Sequence, residues 1–239
     1  MLLFRPLSIS PLLPLAGLVA SASQSTTSST PNLRIEGPDS TIFEGPITSG
    51  PRNLTAIVSD AGYNEPCDGL NGGANAKPFN TALDAFDAAS KPPNPGFAYT
   101  LGYDGDLNDF YVLSVAGYST NSWGLFYNWK IPYLGERFVG CRQEVQTGDN
   151  VLWAFNASDT TVLLKVSPDT VTVKKGGSVT FTIIDGLTGK LQPSATIHSV
   201  QANSKGQVVV NYPTTGYFPF KAKETGAIRS EIVKVTVTN

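Results

Sequence analysis

Residues 34–45 have the sequence Arg34-Ile35-Glu36-Gly37-Pro38-Asp39-Ser40-Thr41-Ile42-Phe43-Glu44-Gly45, and this stretch decides the fold of the first half of the chain. Apolar and polar side chains alternate on both sides of a Gly-Pro-Asp-Ser segment, which is a typical turn sequence. The pattern therefore predicts a β-hairpin with strands at residues 33–36 and 41–45. Further strands are predicted at residues 97–101 and 110–115.

Aromatic residues mark the central strand of the same region. In Trp123-Gly124-Leu125-Phe126-Tyr127-Asn128-Trp129 the strand period of two places Trp123, Leu125, Tyr127 and Trp129 on one face. A closing strand is predicted at residues 150–155, directly after the turn formed by Gly148 and Asp149. Residues 53–77 lack such a pattern and are rich in glycine, so they are predicted to be loop-like.

One amphipathic helix is predicted among these strands. Either Asn80 or Thr81 can cap its first turn, and the Lys-Pro-Pro sequence at 91–93 ends it. We expect Asp84 and Asp87 to lie on its solvent face. The apolar positions recur at a spacing of three residues, as required for one helix face: Leu83, Phe86 and Ala89.

The sequence pattern changes after residue 160. Short alternating segments now follow one another closely, and each is bounded by Gly, Pro or Asn-Ser turns. Closely spaced short strands of this kind are typical of a β-sandwich. The predicted strands are at residues 163–166, 171–173, 179–184, 196–200, 207–210, 216–222 and 232–237.

The first region resembles the transcobalamin-like C-terminal domain, a small β-grasp module. The resemblance rests on the hairpin at 34–45, on Trp123 and Asn128 in the central strand, and on the Gly-Asp turn before the closing strand. It implies an α+β, β-grasp-like domain with one helix at residues 32–157. The segment between Ala56 and Pro78 is longer than the usual connection of that family.

The second region resembles the immunoglobulin-like modules of bacterial surface proteins. The resemblance is carried by residues 173–179, by Thr188-Gly189-Lys190, and by the alternating segment at the end of the chain. It implies an immunoglobulin-like β-sandwich at residues 161–239, joined to the first region by a short linker at 156–160. The whole protein is therefore expected to be mainly β.

The start of the chain has the features of an export signal. Arg5 is the only charge in residues 1–23, an apolar stretch covers residues 12–19, and small residues follow at 20–22. The apolar stretch is too short and too interrupted by proline to span a membrane as a helix. Residues 24–31 form a Ser/Thr-rich leader that is expected to be disordered.

Cysteine usage agrees with export. The chain has two cysteines, Cys67 and Cys141, and in an oxidising compartment the simplest expectation is one disulfide bond between them. The alternative is a reactive or metal-binding pair, although no histidine lies nearby in sequence to complete a site. Asn53 and Asn156 each begin an Asn-X-Ser/Thr sequence and are candidate glycosylation sites.

Charge excludes some classes of partner. The 17 basic and 19 acidic residues give a net charge of −2, and no stripe of Lys and Arg is present. Nucleic acid and anionic membranes are therefore poor candidates as partners. We expect a secreted monomer, either free or associated with a cell wall, that binds an extracellular glycan or a surface protein.

Catalytic and metal-binding patterns are weak. His198 is the only histidine, and no nucleophile sequence surrounds it. Glu36 and Glu44 are the candidate pair for a glycosidase, which needs two carboxylates, although a solvated rim is the simpler interpretation. Residues 104–109 resemble part of a calcium loop but lack its required glycine. No catalytic residue, metal site or cofactor is predicted.

The aromatic segment is the better candidate for a binding site. Aromatic rings together with a nearby amide suit stacking on a sugar or on another planar ligand. The competing interpretation is that these rings belong to the hydrophobic core. The candidate ligand-binding residues are Trp123, Tyr127, Asn128, Trp129 and Tyr133.

Three functions follow from these patterns. The first is a non-catalytic binding or adhesion protein. The second is a carrier of a small, corrinoid-like molecule, because transcobalamins close this domain over a corrinoid that also rests on a helical barrel. Only one helix is predicted here, so a partner would have to supply that half of the pocket. The third is a carbohydrate-active enzyme that uses two carboxylates.

Overall fold

A computed structural model describes residues 28–58, 61–119, 123–132, 140–158 and 161–239. The predicted export signal, the first half of the Ser/Thr-rich leader and Tyr133 lie outside the described residues. Within them the protein is mainly β and contains one α-helix, so the predicted fold class is confirmed. We call residues 28–158 the N-terminal unit and residues 161–239 the C-terminal unit.

The N-terminal unit consists of short strands and the helix α1, Ala82–Ala89. A single 3₁₀ turn, Asn71–Gly73, precedes the helix. The strands are β1 Asn32–Glu36, β2 Thr41–Pro46, β3 Arg52–Val58, β4 Ala61–Cys67, β5 Tyr99–Asp104, β6 Asp109–Val115, β7 Tyr118–Ser119, β8 Trp123–Tyr127 and β9 Asn150–Phe155.

Its principal sheet has the strand order β2-β1-β9-β8. The two central strands, β1 and β9, run parallel, with Leu33 opposite Val151 and Ile35 opposite Trp153. The outer strands β2 and β8 pair with them in the antiparallel sense. The remaining strands form the β3-β4 hairpin and the β5-β6-β7 sheet.

Both faces of this sheet are covered. Alternate side chains of a strand point to opposite faces. On one face, Leu33, Ile35 and Trp153 share a core with α1. On the other face, Phe126 and Leu152 pack with Leu163 of the C-terminal unit. The sheet therefore lies between its own helix and the second unit.

The helix begins at the predicted cap but differs from prediction on its polar face. Thr81 and Asp84 form a capping box, in which each side chain accepts a hydrogen bond from the other's backbone N–H. Asp84 and Asp87 are both buried, so the expectation that they face solvent is wrong. Asp87 is held by an ion pair with Arg52 at 2.9 Å and by a hydrogen bond from Tyr99.

The segment at 53–77 also differs from prediction, because it contains the β3-β4 hairpin. Leu54 and Ala56 are buried, whereas the intervening Asn53, Thr55 and Ile57 are exposed. The exposed face contains an apolar residue as well as polar ones, so β3 lacks the regular alternation of apolar and polar residues that usually indicates a strand. Asn64 and Pro66 on the partner strand weaken the strand signal further.

The C-terminal unit contains two three-stranded sheets, with strand orders β10-β12-β15 and β11-β17-β16. Side chains from both sheets form one core. The strands are β10 Leu164–Ser167, β11 Thr170–Lys174, β12 Ser178–Asp185, β13 Thr196–Ile197, β14 Val200–Gln201, β15 Gln207–Asn211, β16 Gly216–Phe220 and β17 Val233–Thr238.

The predicted strand at 196–200 is instead the small hairpin β13-β14. Its two central residues, His198 and Ser199, have φ values of 50° and 66°, as a two-residue hairpin turn requires. The prediction of a strand that contains His198 is therefore wrong. The exposed imidazole of His198 lies 4.9 Å from the ring of Phe220, measured between centroids.

The two cysteines are joined as expected. Cys67 and Cys141 form a disulfide bond across 74 positions of sequence, and both are fully buried. The bond connects the end of β4 to the segment that precedes β9. Among the described residues, no helix is long and apolar enough to cross a membrane.

Candidate functional site

A buried network of charges joins the two units. Glu36, on β1, is 1% exposed. Its Oε2 accepts hydrogen bonds from Nε and Nη2 of Arg229 at 2.9 and 2.6 Å. Lys221 binds the other oxygen of Glu36 and also binds Glu44 on β2. Both cations belong to the C-terminal unit, so each carboxylate of this pair is neutralised across the junction.

A small apolar cluster lies beside this network. Phe126 and Leu152 from the sheet pack with Ala157 of the connecting segment and with Leu163. Ala157 is so close to β8 that a Cβ on Gly124 would lie 3.0 Å from the Cβ of Ala157. The connection between the units is thus itself part of the packed junction.

The turn after β8 extends toward the C-terminal unit. Asn128 and Trp129 have φ values of 47° and 61°, and backbone hydrogen bonds of 2.8 and 2.9 Å join Tyr127 and Lys130 on either side. This is a two-residue hairpin turn with positive φ at both central positions. Positive φ is uncommon for a residue as large as Trp, so the surrounding contacts must hold Trp129 in place.

Asp149 fixes the first half of this turn. It accepts hydrogen bonds from the Tyr127 hydroxyl at 2.6 Å and from Nδ2 of Asn128 at 2.8 Å. Partial burial opposes ionisation, but these bonds outweigh it and keep the pKa of Asp149 below its usual value. Burial and the adjacent Asp149 raise the pKa of Tyr127. Oδ1 of Asn128 accepts from the backbone N–H of Asn150 at 2.8 Å.

Trp129 is held by the C-terminal unit. Its indole packs directly on Gly186, where an added Cβ would lie 2.2 Å from Cε3 of the ring. Nζ of Lys165 lies 4.6 Å from the centroid of the indole, within the range of a cation–π contact. Glycine is therefore required at position 186 by the close approach of the ring.

These contacts leave an open cleft between the units, with a volume of about 470 Å³. This size is ordinary for a small-molecule or oligosaccharide site. Trp129 and the 57%-exposed Tyr217 contribute aromatic surface. The polar side chains that line the cleft come from both units and include Asn32, Arg34, Asn150, Asp169, Glu231 and Lys234.

Arg34 is the most unusual residue of the cleft. It is 5% exposed, and in the described part of the chain its hydrogen bond goes from Nη1 to the backbone carbonyl of Arg229, at 2.8 Å. Burial lowers the pKa of its guanidinium, and the negative charges of Glu36, Glu231 and Glu44 oppose that effect. The nearest carboxylates on β1 and β2 bind Lys221 and Arg229 instead.

The five predicted ligand-binding residues occupy different environments. Trp123 is 7% exposed and belongs to the core beside α1, so it offers almost no surface to a ligand. Tyr127 and Asn128 position the turn through Asp149. Trp129 lines the cleft while packing on the C-terminal unit. Tyr133 lies outside the described residues.

The other candidate groups are engaged in structural contacts. Oδ1 of Asp104 accepts hydrogen bonds from the backbone N–H groups of Asp106 and Leu107, each at 3.0 Å. The buried Asp109 accepts from the backbone N–H of Phe110 at 2.7 Å. The described residues contain no group of three or more His, Cys, Asp and Glu side chains placed to hold a metal ion.

Sequence analysis did not identify Arg34, Tyr217 or Glu231 as site residues. They lie on β1, on β16 and before β17, and they meet only because the two units pack together. The one available sequence signal was Arg34 itself, because it is a charged residue on a strand whose neighbours Leu33 and Ile35 are core residues. Neither a protein-family model nor a curated protein sequence matches this chain.

Proposed function

We propose that this chain is a secreted, non-catalytic binding protein that holds a glycan in the cleft between its two units. The observation that carries the proposal is the cleft itself, which combines the aromatic rings of Trp129 and Tyr217 with polar side chains from both units. Aromatic faces bind the apolar faces of sugars, and polar groups around them fix the orientation.

A binding role is favoured over hydrolysis because of the state of Glu36 and Glu44. A glycosidase needs one carboxyl group that donates a proton and a second that acts as base or nucleophile. Here Lys221 binds both carboxylates and Arg229 also binds Glu36. Both carboxylates are thus engaged in ion pairs across the junction, and neither is free to act on a bound sugar.

An extracellular location is supported by three features. Cys67 and Cys141 form a disulfide bond, which is typical of oxidising compartments. Asn53 and Asn156 are both exposed and are thus accessible to glycosylation. The first 23 residues have the composition of an export signal.

Glycan binding is tested by applying the labelled protein to an array of extracellular polysaccharide fragments. We expect binding to selected fragments, and at least about a fivefold loss of affinity in Tyr217→Ala, because stacking on one aromatic ring is worth about 1–3 kcal/mol. The matched control is Tyr63→Ala, which removes a tyrosine of similar exposure (46%) from β4, outside the cleft. Equal losses in both variants, or no bound fragment, would contradict the proposal.

The corrinoid-carrier alternative is tested separately by incubating the protein with cobalamin and separating bound from free ligand by gel filtration. Glycan binding in the cleft predicts that no absorbing complex co-elutes with the protein. A co-eluting complex that is lost in Tyr217→Ala would assign the cleft to a corrinoid instead.

A further inference from the structure

Arg34 indicates which chemical group the cleft accepts. The guanidinium carries several N–H donors in one planar fork, and its hydrogen bond within the described residues uses only Nη1. Nε and Nη2 of Arg34 are not among the fully buried unpaired polar atoms of the described residues, so these donors are open to the cleft. Since Arg34 also lines the cleft, a ligand that enters can supply the missing acceptors.

Three of the four carboxylates in and around the cleft are already paired with a cation or disfavoured by burial. Lys221 and Arg229 are already engaged by Glu36 and Glu44, while burial raises the pKa of Glu231 and so disfavours its charge. Among the charged side chains that line the cleft, this leaves Arg34 and Lys234 with Asp169 as the one remaining carboxylate.

From these observations we infer that the cleft binds a glycan that carries carboxylate groups, with a uronic acid bound by Arg34. The planar fork of arginine fits a carboxylate through two parallel hydrogen bonds, which a lysine ammonium does not reproduce. Tyr217 lines the same cleft and is 57% exposed, so its ring is available to the neighbouring sugar. The inference rests on the proposed function and narrows its ligand class.

The experiment uses the full secreted chain and isothermal titration with short oligogalacturonates. Their methyl esters are the matched ligand control, because they keep the sugar and remove only the negative charge. We expect the acid form to bind at least tenfold more tightly than the ester. We also expect Arg34→Lys, which keeps the charge but not the fork, to lose at least tenfold in affinity for the acid form and little for the ester.

The outcomes separate this inference from the proposed function. Equal affinity for acid and ester, or binding of neutral glycans alone, overturns the inference and leaves glycan binding intact. No binding of any sugar overturns both. Because the acid and ester are compared on the unmodified protein, the result does not depend on whether an Arg34 variant folds. A loss in Arg34→Lys that is equal for acid and ester would overturn the role of Arg34.

Discussion

Glu36 and Arg229 are 193 positions apart in the chain, yet Nε and Nη2 of Arg229 donate to the same carboxylate oxygen of Glu36 at 2.9 and 2.6 Å. The pair joins the two units directly. It places a residue of the opening strand, β1, against the segment that leads into the last strand, β17. The junction is thus fixed by charges that neither unit can neutralise alone.

Glu36→Gln is expected to lower the free energy of unfolding by about 3 kcal/mol, since it leaves the half-buried Arg229 and Lys221 without their common carboxylate. Chemical denaturation measures this loss. The control is Asp39→Asn in the adjacent exposed turn, which should change stability by no more than about 0.5 kcal/mol. Similar effects of the two variants would show that the network contributes little.

Gly186→Ala is expected to lower the free energy of unfolding by about 1–3 kcal/mol, as overpacking does, because the new Cβ collides with the Trp129 ring. Gly105→Ala is the control, since its Cβ would meet nothing within 4 Å. Thermal unfolding of both variants gives the comparison.

The double variant Gly186→Ala/Trp129→Ala identifies the source of that effect. Removing the indole also removes the collision, so the combined loss of stability should be smaller than the sum of the two single losses. Strictly additive losses would mean that the ring and the glycine are not in contact in solution.

The stability of the protein should fall as pH rises from about 4 to about 8. Burial raises the pKa of Asp84 from 3.8 to about 8, against the opposing hydrogen bonds of Thr81 and the charge of Arg52. The folded protein therefore keeps a proton that the unfolded chain has already released. The favourable contribution is fully present below pH 3.8 and is lost as pH approaches 8.

The test compares the free energy of unfolding at each pH in this range, measured by chemical denaturation, for the wild type and for Asp84→Asn. The asparagine keeps an oxygen acceptor for the helix cap. One proton changes the free energy of unfolding by at most about 1.4 kcal/mol per pH unit. We expect the slope to be smaller in Asp84→Asn and unchanged in Asp106→Asn, which removes an exposed carboxylate. Equal slopes in all three proteins would contradict a buried, protonated Asp84.

Removing the disulfide bond should destabilise the protein by about 4 kcal/mol, because the bond closes a loop of 74 positions and restricts the unfolded chain. The double variant Cys67→Ala/Cys141→Ala and the reduced wild type should show similar losses in chemical denaturation. An unchanged midpoint after verified reduction would rule out this contribution.

The exposed Asn-X-Ser/Thr sequences at Asn53 and Asn156 give a prediction about the location of the protein. Expressed in a eukaryotic secretory host, the protein should lose the mass of one N-glycan in Asn53→Gln and of another in Asn156→Gln. Both masses should fall to the polypeptide value after enzymatic deglycosylation. A secreted protein whose mass is the same in both variants would contradict glycosylation at these sites.

The sequence was informative where local pattern and burial agree. The hairpin at 34–45, the capped helix and the strand of Trp123 each direct an alternating or helically spaced set of apolar residues into the core of the N-terminal unit, so these patterns were enough to predict them. The polar face of the helix was predicted wrongly because Asp84 and Asp87 are buried by contacts with Arg52 and Tyr99, which no local spacing reveals.

The candidate site was less accessible to sequence analysis. The aromatic segment pointed to Trp129, but its positive φ and its contact with Gly186 depend on the packing of the two units. Glu36 and Glu44 are the residue types of a catalytic pair, and their position in the junction depends on Lys221 and Arg229, which are distant in sequence.

The measurement that tests the central claim most directly is hydrogen–deuterium exchange of the full chain with and without short oligogalacturonates. The cleft predicts slower exchange in both units at once, around Arg34, Trp129, Tyr217 and residues 231–234, with no change around Tyr63. Slower exchange confined to one unit, or centred on Tyr63, would contradict a binding site at the junction.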